Sequence, residues 1–222
     1  MRPPSPVALA LPLIGLALAL PTPAHAADST LWTFHKGVAV RYGTFTLNDA
    51  YLTQVFGAQN DELKLEYDMG WRLVEIGATA GFAQDSGFLQ TSSGTASDEH
   101  DMLSLYPLGA DLRVRLDFFD EQWLVPTGGI GGNFWLWGEN WYVPDPTTDN
   151  ARAGSKLGWS WSAGGMLRLD AFDRKAASEL VAQTGIDDTF LVCEYKHNYM
   201  PTGAKELHMS GWEVTGGLRF DF

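Results

Sequence analysis

Apolar and charged residues alternate along most of this chain with a period of two, in runs separated by irregular segments. Over 63–72, Leu63, Leu65, Tyr67, Met69 and Trp71 share one parity, with Lys64, Glu66, Asp68 and Arg72 on the other. Over 108–118, Leu108, Ala110, Leu112, Val114, Leu116 and Phe118 face Asp111, Arg113, Arg115 and Asp117. The run 157–170 sets Leu157, Trp159, Trp161, Leu167 and Leu169 against Ser160, Ser162, Arg168 and Asp170. The chain closes on 212–222, where Trp212, Val214, Leu218, Phe220 and Phe222 oppose Glu213, Thr215, Arg219 and Asp221. Successive side chains of a strand point to opposite faces, so each run reads as a strand with one oily and one charged face.

Two further runs show the same pattern. Near 36–46, Val38, Val40 and Tyr42 oppose Arg41, and near 74–83, Val74, Ile76, Ala78, Ala80 and Phe82 oppose Glu75 and Thr79. Residues 124–137 and 189–199 are noisier but extended in character. That makes eight strands, each meeting the roughly 9–11 residues a tilted membrane-crossing strand needs. The parity slips between Leu73 and Val74, which predicts a tight turn there. Short turns are expected near 73 and 119–123, with longer connections at 47–61, 85–101, 139–155 and 200–209. One connection on the short-turn side, 171–188, is long. Asp173 can cap a helix in it, Leu180 and Val181 supply an apolar face, and Gly185 can end it.

The charged parity decides which face is inside. It carries Arg41, Lys64, Arg72, Arg113, Arg115, Arg168, Lys196 and Arg219 among Glu66, Asp68, Glu75, Asp111, Asp117, Asp170, Glu194, Glu213 and Asp221. Such a near-balance of signs predicts an ion-pair network filling an eight-stranded barrel, whose interior is just wide enough for side chains. The large aromatics fall at strand ends. Trp71, Phe118, Trp123, Phe220 and Phe222 lie at the short-turn end, and Trp159, Trp161, Tyr199 and Trp212 at the other. Two girdles of that kind are what a bilayer's interfaces select. Trp135 and Trp137 also lie at the far end, with a parity that points them inward. The fold class expected is all-β: an eight-stranded antiparallel transmembrane up-and-down barrel with a short periplasmic helix.

Composition places this barrel in an envelope. Arg2, the apolar run 8–20 and Ala24-His25-Ala26 have the three-part layout of a secretory signal peptide. Residues 1–26 are read as that peptide, and 27–222 as one barrel domain. The expected location is the outer membrane of a Gram-negative bacterium, with both termini periplasmic because the strand number is even. A formal net charge of −12 argues against a nucleic-acid partner. Cys193 is the sole cysteine, which excludes a disulfide framework. The partners expected are outer-membrane lipid and lipopolysaccharide, and the outer-membrane assembly machinery.

The stretches "YPLGADLRVRLDFF", "VPTGGIGG", "LGWSWSAGGMLRLDAFD", "ELVAQTGIDDTFLVCEY" and "WEVTGGLRFDF" together resemble a group of uncharacterised outer-membrane barrel proteins from myxobacteria. The likeness covers most of 103–222 and implies an eight-stranded outer-membrane barrel without implying an activity. Size and layout are also similar to those of OmpA- and OmpX-type small barrels. A final strand ending in Phe222 resembles the assembly signature of bacterial outer-membrane barrels.

Little in the chain points to chemistry. Glu206, His208 and Ser210 share one parity near the last strand and are the residue types of a hydrolase triad. The His-x-Ser pair resembles that of lipid A 3-O-deacylases. In that family an asparagine follows the serine and the acid comes later, whereas Gly211 and Trp212 follow here. Asp98, Glu99 and Asp101 in "DEHD" are hard oxygen donors of the kind that take calcium or magnesium. The glycines of "TGGIGG" lack the GxGxxG spacing of a nucleotide site, and His35 and His197 have no partner at ligand spacing. No cofactor is expected. The reading is therefore a non-enzymatic outer-membrane barrel with a charge-plugged lumen, serving envelope structure or recognition through its loops. The alternatives are a lipid A-modifying hydrolase and a small transport or ligand-carrying barrel.

Overall fold

The computed structural model describes residues 34–90, 96–119, 122–142, 151–201 and 208–222. Its elements run β1 (Phe34–Leu47), α1 (Ala50–Phe56), β2 (Asn60–Trp71), β3 (Val74–Gln90), β4 (Ala96–Arg115), β5 (Leu124–Tyr142), β6 (Ala151–Arg168), α2 (Arg174–Thr184), β7 (Asp188–Tyr199) and β8 (Gly211–Asp221). Each strand pairs antiparallel with its sequence neighbour, and β8 returns to β1 from Gly37↔Asp221 to Leu47↔Gly211. A closed eight-stranded antiparallel barrel results, with no free sheet edge along the closed part of its wall. The residues of the expected signal peptide lie outside the described ones.

The alternation explains the strands. Val40, Tyr42, Leu63, Ile76, Leu112, Ile130, Leu191 and Leu218 point outward and are exposed, whereas Arg41, Lys64, Glu66, Glu75, Arg113, Glu194 and Arg219 on the other parity are buried. The parity slip after Leu73 is a two-residue hairpin in which Trp71 pairs with Val74. Gln122 organises the β4–β5 turn. Its side-chain oxygen accepts from the Phe118 and Phe119 amides, and its nitrogen donates to the carbonyls of Leu116 and Leu124. Pro107 sits mid-strand in β4 without an amide to donate. The β3–β4 ladder is interrupted beside it, between Ala80↔Leu108 and Ala83↔Leu105.

Two of the expected long connections are largely strand. The β3–β4 ladder continues through Asp85↔Leu103 to Gln90↔Ala96, and β5–β6 runs out to Asn140↔Ala151. The oily cue fades over 85–101 and 139–155 because described outward positions there, Phe88 apart, are small or polar, as at Ser86, Asn140, Ala153 and Ser155. Hairpin pairing persists without an oily face. The β3–β6 half therefore rises above the rest of the rim.

Both helices begin on an aspartate. In α2, Asp173 accepts from the Lys175 and Ala176 amides, and Gly185, at φ 75°, ends the helix by donating to the Val181 carbonyl. α1, inside the expected 47–61 connection, has no counterpart in the sequence reading. Seven residues are too few to display a helical period. Asp49 caps it through the Tyr51 and Leu52 amides, and Leu52, Val55 and Phe56 turn down into the barrel mouth. Gly87 of β3 is what allows this approach, because a Cβ there would strike the Val55 carbonyl.

Candidate functional site

The barrel interior is layered. At the turn end, Arg219 is fully buried and donates to Asp221 Oδ1 at 2.6 Å, to Asp68 Oδ2 at 3.0 Å and to Glu75 Oε1 at 2.5 Å. Arg115 donates to the same Glu75 oxygen and to Asp221 Oδ2, each at 2.8 Å. One level up, Arg113 and Arg41 converge on Glu66 Oε1 at 2.6 and 2.8 Å, and Arg41 also meets Glu194 at 3.1 Å. Asp111 lies 3.3 Å from Arg113. Above these, Lys64 pairs with Glu213 and, at 3.2 Å, with Glu62. Asp117 gathers Arg72 and Arg168 at the turn-side mouth. Gly37 makes room for the lowest layer, since a Cβ there would lie 2.6 Å from Arg219 Nη2.

An apolar layer lies over the ion pairs. Phe45, Leu47, Leu103, Leu105, Trp135, Met200 and Met209 pack against the underside of α1, with Trp137 partly buried beside them. Trp135 and Trp137 are thus inside and do not belong to an outer girdle. A smaller cluster of Val125, Met166, Phe190 and Val192 fills the other end, where the Arg115 and Arg168 guanidiniums lie 5.3 and 5.4 Å from the Phe190 ring centre. Between the layers, among the described residues, lie cavities of about 10 Å³, room for roughly one water each. Lys196 lines two of them.

Of the residues singled out as a triad, Ser210 and His208 are described. Ser210 Oγ donates to the Met200 carbonyl and accepts the Met200 amide, so its hydroxyl is engaged by backbone. His208 is exposed, and its amide donates to Asp49. Both precede β8, which begins at Gly211, so strand parity does not govern them. Glu206 lies outside the described residues, as do the side chains of Asp98 and Glu99. Asp101 is buried within β4, which begins at Ala96, so "DEHD" lies on a strand and not in a loop. Asp170 accepts the Thr189 amide through one oxygen.

Other partners were invisible to local pattern. His35 Nε2 sits 2.6 Å from Glu75 Oε1, and its parity with Arg41, read one residue beyond the expected start of β1, was the available signal. Glu62 shares the parity of Lys64 and Glu66 in the same way. Asn133 and Asn198 bond to each other at 2.9 Å inside the wall. The aromatics Trp71, Trp123, Trp159 and Trp161 are exposed on the outer surface, and Trp212, Phe220 and Phe222 are half-buried.

One acid pair lies in the raised hairpins, beyond the apolar layer. Asp101 and Glu139 are both buried, and Glu139 holds Arg152 at 2.5 Å. Burial, reinforced by the neighbouring Glu139 carboxylate, pushes the Asp101 pKa up to about 7. An acid raised above its unfolded value of about 3.9 binds more protons folded than unfolded between those two values. Its stabilising effect is complete below about pH 4 and is lost as pH rises through about 7. Asp101→Asn is expected to flatten that decline in urea-unfolding free energy. An identical slope in the parent and the variant would refute the assignment.

An ion-paired interior inside an oily wall inverts the layout of a water-soluble barrel and defines the class: the chain folds as a small outer-membrane β-barrel. No family model and no curated protein matches it. Among solved structures it is similar to the outer membrane protein OprG of Pseudomonas aeruginosa, at 8% identity and a TM-score of 0.58, over 88% of this chain and 99% of that one. It is also similar to a major outer membrane protein from Thermus thermophilus, at 11% identity and a TM-score of 0.52, over 85% and 99%. Identities this low carry the fold alone. The narrower resemblance to the myxobacterial group gains no support from these comparisons.

Proposed function

We propose that this chain is a non-enzymatic integral outer-membrane protein whose barrel is closed to solutes and whose work is done at its surface. The observation that carries the reading is the conjunction of two faces. Outward positions hold exposed aliphatics such as Ile130, 63% exposed, while inward positions hold stacked ion pairs beneath an apolar layer. Hydrocarbon accepts the first, and only a closed barrel satisfies every backbone group within it. The cavities described within the second hold about one water each, too small for a permeant ion with its hydration shell.

In this reading the termini are periplasmic and the raised β3–β6 face is extracellular. The aromatic positions from Trp71 to Phe222 meet the bilayer interfaces. Lipid and lipopolysaccharide are the immediate partners, and the C-terminal strand is read by the assembly machinery. The raised hairpins serve recognition or envelope structure. A transport reading has to pass Trp135 and the Arg41–Glu66–Arg113 layer, which obstruct the axis. Purified protein in a planar bilayer is expected to give no steady conductance steps. Sustained steps from the intact chain would overturn the closed lumen.

A further inference from the structure

α2 is out of keeping with the rest of the barrel. Its eleven residues carry Ala177, Leu180 and Val181 on one stripe, edged by Arg174 in the first turn, with Lys175, Glu179 and Gln183 on the opposite side. Most of the helix is exposed, with Ala177 and Leu180 partly covered. An isolated helix of this length is marginal in water even when well capped. Docking of its apolar stripe would supply the missing stabilisation.

The surroundings indicate what it docks on. Phe172, just before the helix, is 71% exposed. Phe119 and Trp123, in the neighbouring β4–β5 turn, are 71% and 61% exposed. The Arg168 amide donates to the Trp123 carbonyl, which ties the two turns together. Trp123 adjoins Leu124, 46% exposed on the oily barrel wall, which pairs with the partly exposed Leu167 across β5 and β6.

We propose that α2, Phe172, Phe119 and Trp123 form an interfacial foot that lies in the headgroup region of the leaflet on the turn side. Its ligand is a phospholipid surface, and its effect is to hold the barrel at a defined depth. Trp123 is continuous in sequence with Leu124 of the membrane-facing wall, and α2 sets its apolar stripe apart from Lys175 and Glu179, the arrangement of a helix lying in an interface. A periplasmic protein partner would have no need of that continuity.

The inference rests on the outer-membrane reading, and the test separates the two. Full-length protein is refolded into vesicles of phosphatidylcholine with a minority of phosphatidylglycerol. Single labels are placed at native Cys193, on the outer wall of β7, and at Val181→Cys or Ser178→Cys in a Cys193→Ser background. Heat-modifiable gel mobility confirms folding of each. The Val181 label is expected to lose most of its quenching by aqueous iodide and to be quenched by lipid spin-labelled near the headgroup. The Ser178 label should stay open to iodide. Equal iodide access at both helix positions, with Cys193 quenched by chain-end spin label, overturns the foot alone. Iodide access at Cys193 overturns the membrane barrel itself.

Discussion

Arg219→Leu is expected to lower the unfolding free energy of the refolded barrel by about 3–5 kcal/mol, the cost of stripping one partner from a buried charge network. The residue is 0% exposed and answers Asp68, Glu75 and Asp221 together. Leucine fills part of the space yet leaves those carboxylates facing only Arg115, Arg113 and His35. Arg219→Lys retains the charge without the planar fork that reaches three acceptors, and should fall between the two. Urea titration in vesicles, followed by tryptophan emission, measures both. A loss under about 1 kcal/mol for the leucine variant would mean that water enters the layer and replaces the arginine.

Leu112→Arg should cost about 2–4 kcal/mol, the penalty for a cation on the lipid face of a barrel near the bilayer midplane. Leu112 is 46% exposed on the outer wall. If water bathed that wall, the same change would fall within about 0.5 kcal/mol. Ser155→Arg, outward and exposed on the raised part of β6, serves as the control and should be near neutral. Equal effects at the two positions would remove the bilayer from the account.

The lumen charges contribute shape and order more than net stability. Burying ions is expensive, and a network repays that cost only when each member is answered. Glu66 illustrates the answer: two guanidiniums from β1 and β4 reach one of its oxygens. Removal of one arginine therefore disturbs several acids, which is why single deletions here are expected to outweigh ordinary core truncations.

Strand number, the pairing turn at Leu73 and the caps of α2 were legible in the chain because each is written in neighbouring residues. Alternation reports which side chains share a face, and Asp173 and Gly185 signal a helix end without help from elsewhere. The extensions of β3 to β6 were not legible. Their outward residues, such as Ser104 and Gly138, lack the oily signature, and their pairing is inherited from the hairpin below. α1 was equally silent, since Ala50–Phe56 spans two turns and is held by a barrel mouth that exists only after closure.

By itself the amino-acid pattern determined a two-faced wall, oily outward and charged inward, because the side-chain period of a strand is a local property. Only the tertiary structure decided which charge meets which. Arg219 and Asp68 are 151 residues apart in sequence, and the stagger and closure of β8 on β1 set their common level. The same closure turned Ser210 toward the Met200 backbone and seated α1 over the lumen. Contacts of that kind depend on barrel register, which alternation leaves open.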